Sequence, residues 1–209
     1  MQTAPLTQQL TFLREIDRLK SVIRQSPLLD QSRKENSAEH SWHVAMFALL
    51  LHDHANSTVN VERVIKMLLI HDIVEVDVGD TPIHGGASSN EQFILETQAA
   101  KRLFGLLPEK QGSELFALWH EFEEALTGDA QFAKALDRVQ PLLVNVRTGG
   151  GTWTENCVTL DLVLQRYGPI IERGSPALWR VCEQLVKEHF AMQQPAVAFN
   201  SKASHDIQK

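Results

Sequence analysis

The sequence predicts an all-α protein, and three observations predict it. Apolar residues recur at helical spacing along nearly all of the 209 residues. Alternating, strand-like runs are nearly absent. The breaks between apolar stripes carry capping residues, prolines and glycines. Hydrophobic residues make up 43% and charged residues 22%, a balance that supports a packed core and excludes disorder of the whole chain. The length fits one domain. We read residues 1–193 as that domain and 194–209, where the periodicity is lost, as a loosely ordered tail.

The elements follow in order. Val44, Phe47, Ala48 and Leu51 form a stripe after Ser37, a candidate cap. Val61, Val64, Ile65, Leu68 and Leu69 form the next, with Asn60 as its cap. A polar loop is expected near residues 79–90, broken by Gly85-Gly86. Ser88 to Glu91 has capping-box spacing before Phe93, Ile94 and Leu95. Leu115, Leu118, Trp119 and Phe122 follow Ser113. Phe132, Leu136, Val139, Leu143 and Val146 give a helix over 129–147, after Asp129. Gly149-Gly150-Gly151 reads as a helix connection, and Leu160, Val163, Leu164 and Tyr167 continue the pattern. Ser175-Pro176 places a cap and a first-turn proline before Leu178, Val181, Cys182, Leu185 and Val186.

Whole-chain features exclude several classes. The formal net charge is -6, without the basic patch of a nucleic-acid binder, so no nucleic-acid partner is expected. No apolar run approaches the roughly 20 residues that span a bilayer, and the N-terminus lacks the pattern of a signal peptide. No membrane partner is expected, and a cytoplasmic location is. Cys157 and Cys182 are too few for a disulfide framework; both lie in helix-like stretches and read as reduced core thiols. Of the four tryptophans, Trp119, Trp153 and Trp179 read as packing residues, and Trp42, adjacent to the candidate site in sequence, is the exception that could serve as a substrate platform.

Chemistry concentrates where polar groups interrupt apolar helix. His71-Asp72 ends the run Met67-Leu68-Leu69-Ile70, and such groups are costly to bury unless paired or bound to a metal. Glu75 follows at i+4 from His71 and i+3 from Asp72, on the same face. Asp77 and Asp80 come next, where Gly79 and Pro82 end the helix. His40 sits in the first turn of a helix opened by Glu39-His40-Ser41-Trp42-His43, and Asp137 interrupts the run Ala133 to Val139. Together His40, His71, Asp72 and Asp137 offer two imidazoles and two carboxylates. That mixed set suits one divalent transition metal (Mn, Co, Fe, Ni or Zn) and leaves positions open for water and a substrate oxygen. His52-Asp53 reads as a solvated helix end. His120, among Glu121, Glu123 and Glu124, reads as solvated, and His43 as a neighbour in the groove of His40. His84, beside Gly85-Gly86, is a candidate substrate contact.

The spacing His40, His71-Asp72, Asp137 resembles the signature of the HD-domain metal-dependent phosphohydrolases, a fold of bundled helices. Glu35-Asn36-Ser37-Ala38-Glu39-His40-Ser41 and the stretch from His71 to Asp80 resemble its 5'-deoxynucleotidase branch, with YfbR-like and HD domain-containing protein 2-like groups. Glu114 to Glu123 and Phe132 to Asp137 are similar to the second of these groups. The resemblance runs from about residue 10 to about 190. It implies one divalent metal on His40, His71, Asp72 and Asp137, and hydrolysis of a deoxyribonucleoside 5'-monophosphate by a homodimer. It implies Glu75 as the catalytic carboxylate, Asp80 as a second one, and Arg24 as the contact to the substrate phosphate. Gln25 follows Arg24 where the family pattern often has a tryptophan against the sugar, which leaves ribose against deoxyribose open.

Two other readings remain open from the sequence. One is hydrolysis of another phosphate ester or a signalling nucleotide. Relatives that cleave (p)ppGpp carry an added acid directly after the helix glutamate, where this chain has Val76. The other is a non-catalytic metal-binding scaffold that has kept the fold.

Overall fold

The computed structural model describes residues 4–81 and 89–193. The tail expected at 194–209, His84, Ser88 and most of the loop expected at 79–90 lie outside the described residues. Helix α1 (Ala4–Ile16) leads through a 3-10 turn to a short antiparallel hairpin, β1 (Ile23–Pro27) and β2 (Lys34–Asn36). This hairpin departs from the all-helical expectation. Its strands pair Ile23 with Asn36 and Pro27 with Lys34, with an irregularity between. Neither strand is long enough, or alternating enough, to announce itself in sequence.

The hairpin also corrects the start of helix α2 (Ser37–Leu51). Extended backbone runs through Asn36, so Asn36 and not Ser37 is the N-cap. The Asn36 side chain accepts from the Glu39 backbone N–H at 3.0 Å, and the Glu39 carboxylate accepts from the Asn36 N–H at 3.2 Å. Ser37 is thereby free to serve the site. Asn60 caps α3 (Val61–Ile70) as expected. A 3-10 turn (His71–Val74) and one turn of helix, α4 (Glu75–Val78), continue it to Gly79, whose φ of 76° is left-handed backbone that favours glycine.

The remaining helices are α5 (Ser89–Phe104), α6 (Glu109–Glu124), α7 (Gly128–Arg147), α8 (Gly151–Glu155), α9 (Leu160–Gly174) and α10 (Pro176–Gln193). Helix α6 starts one turn before Ser113, directly after Pro108. The cap of α7 is Thr127, whose hydroxyl accepts from Ala130 N–H at 3.2 Å. Asp129, expected at that cap, instead accepts from the backbone of Asn60. Ser175 and Pro176 open α10 as predicted, the serine hydroxyl accepting from Leu178 N–H at 3.1 Å.

Two apolar clusters meet along α7. One gathers Met67, Leu68, Leu103, Trp119, Phe132 and Leu136; the other gathers Leu142, Trp153, Tyr167, Ile171 and Val186. Helix α9 lies close on α7 because Gly174 has no Cβ: one there would sit 2.3 Å from the Gln131 carbonyl oxygen. Cys182 is buried, and burial pushes its thiol up to about 12. Cys157 departs from the sequence reading: it is exposed, in the turn between α8 and α9, at a φ of 52°. Among the described residues no helix is long and apolar enough to cross a membrane.

Candidate metal and phosphate site

Three elements deliver the expected ligands to one point. Helix α2 brings His40 in its first turn, the 3-10 turn after α3 brings His71 and Asp72, and α7 brings Asp137. His40 is fully buried; His71 is 3% and Asp137 7% exposed. His40 Nε2 lies 2.9 Å from Asp137 Oδ1 and 3.9 Å from Asp72 Oδ2. His71 Nε2 lies 3.1 Å from Asp72 Oδ1 and 3.5 Å from Asp137 Oδ1. Ligand atoms of His40, His71 and Asp72 fall within 4.8 Å of one another.

The tautomers fit a cation. His71 Nδ1 donates to the Leu68 carbonyl at 2.8 Å, and its Nε2 is buried without a hydrogen-bond partner. That nitrogen therefore aims a lone pair at two carboxylates, which is unfavourable unless a cation lies between them. His40 Nδ1 donates to Gln140 Oε1 at 3.1 Å, which aims its Nε2 into the same space. Burial and Arg24 oppose charge on His40, but Asp137, Glu35 and Asp72 outweigh them and raise the imidazole to about 8. A proton there stands in for a metal ion. For Asp137 burial also opposes charge, yet Arg138, His40 and His71 hold the carboxyl well below its ordinary range. The donor set thus fits a divalent ion.

A cleft of about 260 Å³ opens from this point. Strand β1 sends Arg24 into it, and only 12% of that side chain is exposed. Its Nη1 donates to Asp72 Oδ2 at 2.8 Å and lies 3.7 Å from Glu75 Oε1 and 3.6 Å from Asp80 Oδ1. Those anions raise the guanidinium against the pull of burial. Glu75, 9% exposed, accepts from the Ser37 hydroxyl. Burial, with the charges of Asp72 and Asp80, raises its carboxyl to about 9 despite Arg24 and Ser37. Burial likewise raises Asp80. Lys134 and Arg138 of α7 line the cleft as well.

Arg24, His40, His71, Asp72, Glu75, Asp80 and Asp137 therefore converge as expected, and His84 lies outside the described residues. Asp77 turns away to Arg102. His43 stacks on Trp42 and meets Phe47 edge-on. Trp42 is 62% exposed and lines an apolar groove with Leu13 and Leu69, away from the cleft. His52 and Asp53 form a solvated 3-10 turn, as expected. The sequence reading gave no role to Gln140 or Arg138. Gln140 carried the same signal as Asp137, a polar residue inside the apolar stripe of α7 and three positions on.

Comparison with known proteins gives a consistent picture. The family model described as "HD domain" matches residues 16–179. Human 5'-deoxynucleotidase HDDC2 is 32% identical over 135 residues, covering 64% of this chain and 65% of the human protein. The chain thus matches slightly under two thirds of that relative's length. The 5'-deoxynucleotidase hdd1 of Schizosaccharomyces pombe is 30% identical over 145 residues, 67% of this chain and 72% of that one. A crystal structure from Magnetospirillum magnetotacticum, named a predicted metal-dependent phosphohydrolase, is 50% identical with a TM-score of 0.85, covering 89% of this chain and 93% of that one.

Proposed function

The chain belongs to the HD-domain family, and we propose that it acts there as a metal-dependent phosphomonoester hydrolase. Its substrates are (deoxy)ribonucleoside 5'-monophosphates, split to nucleoside and phosphate. The observation that carries the reading is the pair of imidazoles aimed into one carboxylate-lined point, with His71 Nε2 buried and unpartnered. The activity named for the aligned relatives agrees with it.

His40, His71, Asp72 and Asp137 hold one divalent transition metal, Mn, Co, Fe, Ni or Zn. When bound, the ion supplies Lewis acidity toward a phosphoryl oxygen and an acidified water. Arg24, which donates to Asp72 in the cleft, would present its fork of donors to the phosphate. Lys134 and Arg138 add positive charge to the lining of the cleft. Glu75, whose carboxyl would be ionised more readily with a dication held beside it, is the group placed to accept the proton of the attacking water. The Ser37 hydroxyl fixes which way that carboxylate faces. Asp80, kept protonated more readily by burial, gives its proton to the leaving 5'-oxygen. A homodimer in the cytoplasm is part of the same proposal.

The test strips the protein of metal, reloads it with Mn or Co, and offers 5'-monophosphates, 3'-monophosphates and cyclic nucleotides. Phosphate released from 5'-monophosphates alone supports the reading. No release from any of them, with one metal bound per chain, refutes it.

A further inference from the structure

Behind the metal ligands lies a buried carboxylate that the mechanism above does not use. Glu35 is 4% exposed, on β2, between two groups of the site. Its Oε1 accepts from Gln140 Nε2 at 3.1 Å. That bond fixes the orientation of the Gln140 amide, whose Oε1 is left to accept from His40 Nδ1 at 3.1 Å. The other oxygen, Glu35 Oε2, is buried with no hydrogen bond. Its neighbours are His40 Nδ1 at 3.5 Å and Arg24 Nε at 3.8 Å, and Arg24 Nε is itself buried and unpartnered. A buried charge is costly unless it is paired, so a carboxylate held here needs cationic or donor neighbours. Gln140 is the donor to Oε1, and the cationic neighbours of Oε2 are His40 and Arg24.

We propose that Glu35 is a positioning residue serving both halves of the site. Through Gln140 it holds His40 with the proton on Nδ1, so that Nε2 faces the metal position. Through Arg24 Nε it holds the guanidinium so that Nη1 faces the phosphate position. The hairpin makes this possible: β1 supplies Arg24, β2 supplies Glu35, and α7 supplies Gln140 one turn after Asp137. The proposal rests on the metal-and-phosphate reading above. Outer partners of a metal-bound histidine typically contribute 10–100-fold to affinity.

Two variants separate the two links. Mn binding to the metal-free protein is read from the loss of the free Mn resonance, and phosphate binding to the Mn-loaded protein by calorimetry. Glu35→Gln puts an amide N–H toward His40 and Arg24. It is expected to weaken Mn binding roughly 10–100-fold and to weaken phosphate binding as well. Gln140→Met removes the amide that joins Glu35 to His40 and leaves the Glu35–Arg24 pair in place. It is expected to weaken Mn binding while phosphate binding to the loaded protein stays within about twofold, as Arg24 keeps its partner. The nitrogen shifts of the His40 ring should show the Nδ1–H form losing ground in both. Glu35→Gln with unchanged Mn and phosphate binding overturns the proposal. Should circular dichroism show Glu35→Gln unfolded, Gln140→Met decides: weakened Mn binding supports the proposal and unchanged binding overturns it. A wild-type protein that binds no Mn overturns the proposed function, and this inference with it.

Discussion

Glu75→Gln should stabilise the metal-free protein while removing its activity, and the gain should depend on pH. The Glu75 carboxyl stands at about 9 in the folded metal-free chain, against an ordinary 4.5. Below 4.5 both folded and unfolded states are protonated, and the group has no effect on stability. Between 4.5 and about 9 the unfolded chain gives up the proton and the folded one keeps it. Stability therefore falls as pH rises through that window and levels off above it. Each pH unit is worth about 1.4 kcal/mol, so the upper limit at pH 7.5 is about 4 kcal/mol. Relaxation of the site and its coupling to Asp72 and Arg24 reduce this to about 1–3 kcal/mol, since buried sites behave as more polarisable than dry protein. In a chain of this size that is a rise in Tm of roughly 3–9 °C.

The assay is thermal melting by circular dichroism, on metal-free wild type and Glu75→Gln, at pH 5, 7.5 and 9. The Tm difference should be small at pH 5 and grow toward pH 9. In the same variant Mn should still bind, because no ligand is changed, and turnover should fall by roughly 10²–10⁴, the usual contribution of a general base. A difference that is flat across pH, or a variant less stable than wild type at pH 9, refutes the electrostatic reasoning. A variant that keeps most of its turnover refutes the catalytic role.

The other predictions touch separate links of the structure. Ser37→Ala removes the hydroxyl that donates to Glu75; a lost bond to a charged group is worth about 1.5–3 kcal/mol, so kcat should drop roughly tenfold or more with KM unchanged, and steady-state kinetics with equal loss in both parameters would contradict it. Gly174→Ala drives a methyl onto the Gln131 carbonyl and the Ala135 side chain; overpacking of this kind costs about 1–3 kcal/mol, seen as a lower urea midpoint, and an unchanged midpoint would show that α9 shifts freely on α7. A thiol reagent at pH 8 should modify one cysteine of the folded chain, Cys157, and both after unfolding, because burial holds the Cys182 thiol up to about 12; two rapid equivalents from folded protein would refute that placement.

The fold was largely legible because its helices bury one face each, and burial writes a period of 3.6 into the sequence. Val64 and Leu68 on α3, and Phe132, Leu136 and Val139 on α7, are buried as their spacing required, whereas Leu69, at the edge of the α3 stripe, is 47% exposed. The hairpin was not legible, for a physical reason. Five residues with alternating neither in charge nor in hydropathy, and three more with one buried, leave no period to detect. Its consequence spread one residue onward. Ser37 looked like a cap from sequence, since serine is a common one, but the extended strand put Asn36 in that position. The exposure of Cys157 was hidden likewise: it sits in a left-handed turn closed by local backbone bonds, Cys157 N–H to the Thr154 carbonyl and Val158 N–H to the Trp153 carbonyl, and a cysteine does not announce such a turn.

The site was legible to the extent that its polar groups broke apolar runs. His71-Asp72 and Asp137 did so, and the structure brings them within reach of His40. Partners of the ligands left weaker traces. Gln140 also breaks the stripe of α7, but an uncharged amide is tolerated in cores, so one residue of this kind carries little information until its neighbours are known. Glu35 gave no periodic signal at all, because it lies on the strand. Yet its side chain is as buried as those of the ligands, and so it meets the same physical demand that drew attention to them: a charge removed from water must face a partner. In this chain that demand runs outward from the metal position in successive layers, from Asp137 to His40, from His40 to Gln140, and from Gln140 to Glu35. The hairpin that breaks the helical pattern is therefore the element that closes the chain of partners, and Arg24 enters the cleft from its other strand.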